Sequence, residues 1–374
     1  MGNNNLKVLL ISPLPPPVGG IASWTVNILN FFNENYRGFK LLHFNSAMSR
    51  NRITDRNWLR RVIYGINDAC IQLIKIRRII NKDKPNVIHL TSSASLALFK
   101  DYVMLWYLHK YKITTVLHFH FGRIPDLKQK NNWEWKMLLR TVKKANICIV
   151  LDAQSHKVLK EEGLNNIVIL PNPIAILKND YDSKKEYFNN RNNGVVLFVG
   201  HVVREKGVYE LVEAVKNIDE LKELIFVGPF EESVKNELLQ IANGRQSLIK
   251  FLGVLTKDEV LQEMRKCSLF VLPSYSEGFP NVILEAMSCS CAIISTKVGA
   301  ISEMLGNESG ICVNPKSVEE LEINISKLMI DKELCFTLGS NAYEFVMNNF
   351  NIEIIINQIQ EIWFAKYNKD ENKK

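Results

Sequence analysis

Short apolar runs recur along the chain and alternate with longer stretches in which apolar residues return every third or fourth position. The short runs read as buried parallel strands, because a strand covered by helices on both faces is apolar throughout rather than alternating. They predict strands near 6–12, 40–45, 86–91, 113–119, 146–151 and 167–170 in the first half. A second series follows near 195–200, 223–227, 249–252, 268–272, 292–295 and 311–313. Strands separated by helical stretches build wound α/β sheets. Between the two series, Asn179 to Asn193 is polar, rich in asparagine and without an apolar stripe, and reads as a linker. The expected fold class is therefore α/β, with domains at 1–185 and 186–351, and 374 residues are enough for both cores.

Several strand ends carry residues suited to chemistry. The most informative stretch is LPSYSEGFPNVILEA at 272–286, where Glu277 and Glu285 have seven residues between them, spanning a tight loop and a helix start. A strand that enters a helix through a glycine-containing loop presents backbone N–H groups at the carboxyl edge of the sheet, which suits a phosphate. The alternative is that Glu277 caps the helix and Glu285 is a solvated helix residue. Strand 6–12 runs into Gly19 and Gly20 before a helix, where the backbone can come close to a ligand. In TTVLHFHFG at 114–122 the alternation points His118 and His120 to one side at a strand's carboxyl end. The second series opens with VGHVVREKG at 199–207, where Arg204 and Lys206 would offer fixed positive charge to a diphosphate. The plainer alternative there is a solvated basic turn at a helix start.

The frame Pro-Ser-x-x-Glu-Gly-Phe-x-x-x-x-Leu-Glu-Ala-Met at 273–287 resembles the donor-site signature of the retaining GT-B glycosyltransferases of family 4, the glycosyl transferases group 1. The resemblance implies two facing Rossmann-like domains with a central cleft, an N-terminal acceptor domain and a C-terminal donor domain. It also implies that a helix near 352–374 packs back on the first domain. The implied reaction is retaining transfer of a hexose or N-acetylhexosamine from a nucleotide diphosphate sugar, UDP-sugar before GDP-sugar. The implied acceptor is a hydroxyl of a saccharide or lipid-linked saccharide in surface polysaccharide biosynthesis, and no metal or other cofactor is required. By the same resemblance, Glu277 would bond hydroxyls of the donor sugar and steady positive charge on its ring. His120, ahead of His118, would contact the transferred sugar, and Gly19 and Gly20 would approach the diphosphate. Arg204 and Lys206 would hold that diphosphate, with Phe279, Pro280, Asn281 and Val282 facing sugar and phosphates. Glu285 would grip the ribose hydroxyls, and Pro229, Phe251 and Leu252 would border the base. The chain departs from the family in having His201 where an arginine usually stands, and Ser288 to Cys291 in place of a small-Gly-x-Pro turn. A nucleotide-sugar 2-epimerase or another GT-B enzyme, and a non-catalytic nucleotide-sugar-binding scaffold, are the alternatives.

Bulk properties narrow the picture. An apolar fraction of 47% and a charged fraction of 23% are those of a globular protein, and no run approaches eighteen apolar residues. The start leads straight into Val8 to Ile11, a first strand rather than a signal peptide, and Leu6 removes a myristoylation reading of Gly2. Seven cysteines without a C-x-x-C fit a reducing cytosol. The net charge of +8 is uneven: residues 1–189 carry 28 Lys and Arg against 13 Asp and Glu. The densest segment, Arg50 to Lys84, mixes cations with Trp58 and many isoleucines. It suggests docking on an anionic membrane surface, against the alternative of an ordinary amphipathic helix. The expected location is cytoplasmic, peripheral at the inner face of the plasma membrane. No nucleic-acid motif accompanies the charge. No P-loop is present and no G-x-G-x-x-G follows the first strand, which speaks against an ATPase and a dinucleotide dehydrogenase. Asp180-Tyr-Asp182 is nominally D-x-D but lies in the linker, so no metal site is expected.

Overall fold

The computed structural model describes residues 6–16, 19–35, 38–47, 58–175, 191–306 and 308–371, with the backbone alone at 58–67 and 365–371. The chain divides into two units, Met1–Asn172 with Ile355–Lys374, and Pro173–Ile354.

The first unit holds six strands: β1 (Lys7–Ser12), β2 (Lys40–Asn45), β3 (Val87–Ser92), β4 (Thr114–Phe119), β5 (Ile147–Val150) and β6 (Ile167–Ile169). They form one parallel sheet in the order β2-β1-β3-β4-β5-β6. β3 and β4 are buried at every position, the signature of central strands covered on both faces. The last helix, Ile352–Glu371, contributes Trp363, which is fully buried beside Phe32, Phe39 and His89. Burial of a side chain of this size stabilises by about 3 kcal/mol.

The second unit repeats the architecture with β7 (Asn192–Val199), β8 (Glu223–Val227), β9 (Ile249–Gly253), β10 (Cys267–Leu272), β11 (Ala292–Thr296) and β12 (Ile311–Val313). Its parallel sheet runs β12-β11-β10-β7-β8-β9. All twelve strands therefore fall where the apolar runs put them.

The polar stretch 179–193 needs correction at its end. Residues 176–190, including Asp180 and Asp182, lie outside the described residues. Arg191, which resembles a linker residue, is buried, and its guanidinium donates to the carbonyls of Met264, Cys267 and Cys289. It ties the start of β10 to the turn before β11, and Asn192 already begins β7. Ahead of the stretch, the Ile174–Asn351 bridge puts Ile174 with the second unit.

In the second sheet β7 and β10 lie side by side while their connections run to opposite edges. Wound sheets bind ligands outside the carboxyl ends of the strands at such a reversal. In the first sheet the reversal falls between β1 and β3.

Candidate active site

Two loops leave the reversal of the second sheet. After β7 the chain passes Gly200 and tightens into a 3-10 turn, Arg204–Lys206, before the helix Val208–Val215. After β10 it runs through Pro273 to Pro280 into the helix Asn281–Ser288. The loops touch: the Tyr275 N–H donates to the Glu205 carbonyl at 2.9 Å. Gly207 lies at φ +69°, and a Cβ there would stand 2.0 Å from the Pro273 carbonyl oxygen, so only glycine fits. The contact brings the two functional side chains together. Lys206 Nζ donates to Glu277 Oε1 at 2.6 Å, and Ser274 Oγ donates to the same oxygen at 2.6 Å. Glu277 keeps 11% of its side chain exposed and Lys206 29%, so the pair is sheltered yet open to a ligand.

The second loop is fixed from behind. Thr296 Oγ1 donates to the Ser274 carbonyl at 2.6 Å and Ser295 Oγ to that of Leu272 at 2.7 Å. The Ala300 N–H donates to the Gly278 carbonyl at 2.9 Å. The helix Asn281–Ser288 has Pro280 as its N-cap residue, and no side chain caps it. Glu277 is therefore not a cap, and its carboxylate is spent on Lys206 and Ser274. Phe279, Asn281 and Val282 are half-buried around this helix start. Glu285, two turns on, is half-buried; desolvation raises its pKa, opposed by the Lys257 charge. Its carboxylate bonds to no side chain among the described residues. Arg204 is exposed, with its guanidinium 3.8 Å from the Tyr209 ring centre. Tyr275 donates to Glu210 at 2.6 Å, and its phenol is pushed up to about 12 by burial and then by that bond.

Beyond β8 and β9, Pro229 is exposed and its carbonyl accepts from the Val202 N–H at 2.9 Å. The Phe251 ring is stacked on Phe226, with centres 5.1 Å apart, and Leu252 is left exposed at the rim.

In the first unit Gly19 precedes the helix Gly20–Glu34, whose first turn has no side-chain cap. Gly19 has extended backbone, and a Cβ there would meet nothing within 4 Å among the described residues, so none of these demands a glycine. His118 and His120 lie with ring centres 3.9 Å apart. They join an aromatic cluster in which His118, His89 and Trp24 are buried and His120 is half-buried at the edge. Trp363 Nε1–H donates to His89 Nδ1 at 3.1 Å, which leaves the proton of a neutral His89 on Nε2. That proton reaches His118 Nδ1 at 3.2 Å, so neutral His118 carries its own on Nε2. His120 Nδ1 lies 3.1 Å from Asn172 Oδ1, which makes Nδ1 the donor and Nε2 the acceptor. Burial holds His89 and His120 at about 3 and lowers His118 well below the ordinary range, so all three are neutral.

Among the described residues, no three His, Cys, Asp or Glu side chains group to hold a metal ion. Ser274, Asn172, His89 and Trp363 are contributors that the residue pattern did not single out. Ser274 stood inside the quoted frame, whereas the others carry no local signal.

The fold and site define a two-unit protein of wound parallel α/β sheets with a polar cluster at a sheet reversal. Comparison with known proteins makes this specific: residues 18–176 match the family model Glycosyltransferase Family 4, and residues 180–345 match Glycosyl transferases group 1. The chain belongs to the GT-B glycosyltransferases of family 4. It is 28% identical over 347 residues to an uncharacterized glycosyltransferase of Methanocaldococcus jannaschii, covering 91% of this chain and 93% of that one. It is 27% identical over 252 residues to the putative teichuronic acid biosynthesis glycosyltransferase TuaC of Bacillus subtilis, covering 64% and 61% of the two chains. A third relative is the N,N'-diacetylbacillosaminyl-diphospho-undecaprenol alpha-1,3-N-acetylgalactosaminyltransferase of Campylobacter jejuni, 26% identical over 48% of this chain and 52% of its own. Sucrose-phosphate synthase from Thermosynechococcus elongatus shares the fold with a TM-score of 0.76 at 18% identity, over 97% of this chain and 100% of that one. So does Anabaena HepE in complex with UDP, at 0.71 and 18%, over 96% and 100%.

Proposed function

We propose that this glycosyltransferase moves a hexose or N-acetylhexosamine, with retention, from a nucleotide diphosphate sugar to a hydroxyl of a saccharide or lipid-linked saccharide. UDP-sugars are the proposed donors ahead of GDP-sugars, and the product is a piece of a surface polysaccharide. The observation that carries this reading is the Lys206–Glu277–Ser274 cluster at the reversal of the second sheet. Relatives named for teichuronic acid biosynthesis and for an undecaprenol-linked acceptor support the acceptor class, and a fold neighbour in complex with UDP supports the donor.

In this reading the bond between the sugar C1 and the β-phosphate oxygen breaks, and the acceptor oxygen bonds to C1 on the same face. The acceptor's proton passes to the departing phosphate oxygen. Lys206, with Arg204, neutralises the charge that grows on the diphosphate, and the uncapped helix start at Phe279, Pro280, Asn281 and Val282 faces sugar and phosphates. Pro280 offers no N–H, so its part is to shape the turn. Glu277 accepts hydrogen bonds from sugar hydroxyls and steadies positive charge on the ring. Glu285 accepts from both ribose hydroxyls. Pro229, Phe251 and Leu252 border the base. Gly19 and Gly20 let the backbone approach the diphosphate, and neutral His120 contacts the transferred sugar through its backbone or ring. No metal takes part.

The test is donor turnover and product analysis. Glu277→Gln should lower kcat by about 10²–10³ while nucleotide binding persists. The product should keep the donor's anomeric configuration by proton NMR. Full activity in Glu277→Gln, or an inverted product, would refute the assignment.

A further inference from the structure

The first unit carries an apolar surface that the proposed chemistry does not use. Leu96, Phe99, Val103 and Trp106 follow one another at helical spacing along the helix Ala97–His109, and each is about half exposed, from 45% to 57%. Trp133, 48% exposed at the start of the helix Trp133–Lys144, stacks on Phe99 with ring centres 5.5 Å apart. The two helices pack together, so these five side chains form one patch. A contiguous exposed apolar patch with two tryptophans marks an interaction surface.

Charge identifies the partner. The other exposed residues of the Trp133–Lys144 helix are Lys136, Arg140, Lys143 and Lys144, and neither helix exposes a carboxylate. The two acidic side chains they contain point inward: Asp101 is buried with Ser92, and Glu134 pairs with Arg123 and the Ser95 N–H. Lys110 Nζ sits 4.5 Å from the Trp106 ring centre, and beyond it a hollow of about 620 Å³ is lined by His109, Lys110, Lys112 and Lys144. Apolar side chains run the length of the face: Leu96 and Trp133 stand at the starts of their two helices, whereas Trp106 lies near the end of the first, toward the hollow at the starts of β4 and β5. Exposed aromatic side chains flanked by clustered cations match the interface of an anionic bilayer, where rings enter the headgroup layer and cations meet phosphates.

We propose that the outer face of these two helices docks the enzyme on an anionic phospholipid bilayer, with its aromatic side chains inserted. It deepens the reading of a lipid-linked acceptor, since it sets the first unit against the surface where such an acceptor resides. Sequence alone pointed to 50–84; residues 50–57, and the side chains of 58–67 with Trp58 among them, lie outside the described residues.

The test uses vesicles of phosphatidylglycerol mixed with phosphatidylcholine, against phosphatidylcholine alone, with flotation as readout. It needs neither donor nor acceptor, so its failure leaves the transferase reading untouched, and loss of turnover leaves docking untouched. The full chain should float with the anionic vesicles and not with the neutral ones. The Lys136→Gln, Arg140→Gln, Lys143→Gln triple variant should bind about a hundredfold more weakly. Brominated lipid in the anionic vesicles should quench tryptophan fluorescence of the unaltered protein, and Trp106→Phe with Trp133→Phe should remove most of that quenching. Equal flotation with both vesicle types, or no quenching, would overturn the proposal. So would a dimer in sedimentation that Trp106→Ser dissolves, because a second copy would then cover the patch.

Discussion

At the scale of single residues, the site turns on carboxylates whose partners reveal their work. Glu277 is held by Lys206 and Ser274 on one oxygen, whereas Glu285 sits half-buried without a side-chain partner among the described residues. The histidines give the clearest pH consequence. His89 and His120 lie near 3 in the folded chain against an ordinary 6.5, because burial disfavours the charged ring. Above pH 6.5 the rings are neutral in both states and contribute nothing. As pH falls below 6.5 the unfolded chain takes up protons that the folded chain refuses, so stability drops, approaching about 1.4 kcal/mol per pH unit for each ring. Urea unfolding between pH 6.5 and 5, above the range where most carboxylates titrate, should show this decline, and His120→Asn should remove one ring's share. A flat profile would mean the rings are not protected. Strand alternation made the pairing of His118 with His120 legible. Trp363, which orients His89 from 274 positions away, left no mark in any local pattern.

At the scale of elements, apolar runs were sufficient to place the strands, because burial on both faces forces a continuous apolar segment. They could not report Arg191, whose chemistry reads as solvent-facing until three carbonyls close around its guanidinium. The loop contact after β7 was likewise visible only as a glycine. Gly207→Ala should cost about 3 kcal/mol, from a left-handed backbone and a clash with the Pro273 carbonyl. Turnover should fall together with stability, since the same contact sets the distance from Lys206 to Glu277. Chemical denaturation with parallel activity measurement checks this, and an alanine variant as stable and active as the parent would refute it.

At the scale of the whole molecule, two parallel sheets of different strand order carry different tasks in this account. The second sheet has the reversal beside which Lys206, Glu277 and Glu285 stand, and the first has the histidine cluster and the aromatic, cationic face. No helix among the described residues is long and apolar enough to cross a membrane. The charge imbalance between the halves was legible early, yet the apolar stripe beside it was not, because exposure is a property of packing rather than of spacing. The account stands on the second unit binding a nucleotide diphosphate sugar through Lys206. The most direct measurement is thermal unfolding with increasing UDP-sugar or GDP-sugar, for the unaltered protein and for Lys206→Ala. A ligand at a hundred times its Kd adds about 2.7 kcal/mol of stability, so the unaltered protein should melt several degrees higher with its donor while Lys206→Ala shows little change. No shift with any nucleotide sugar, or an equal shift in Lys206→Ala, would contradict it.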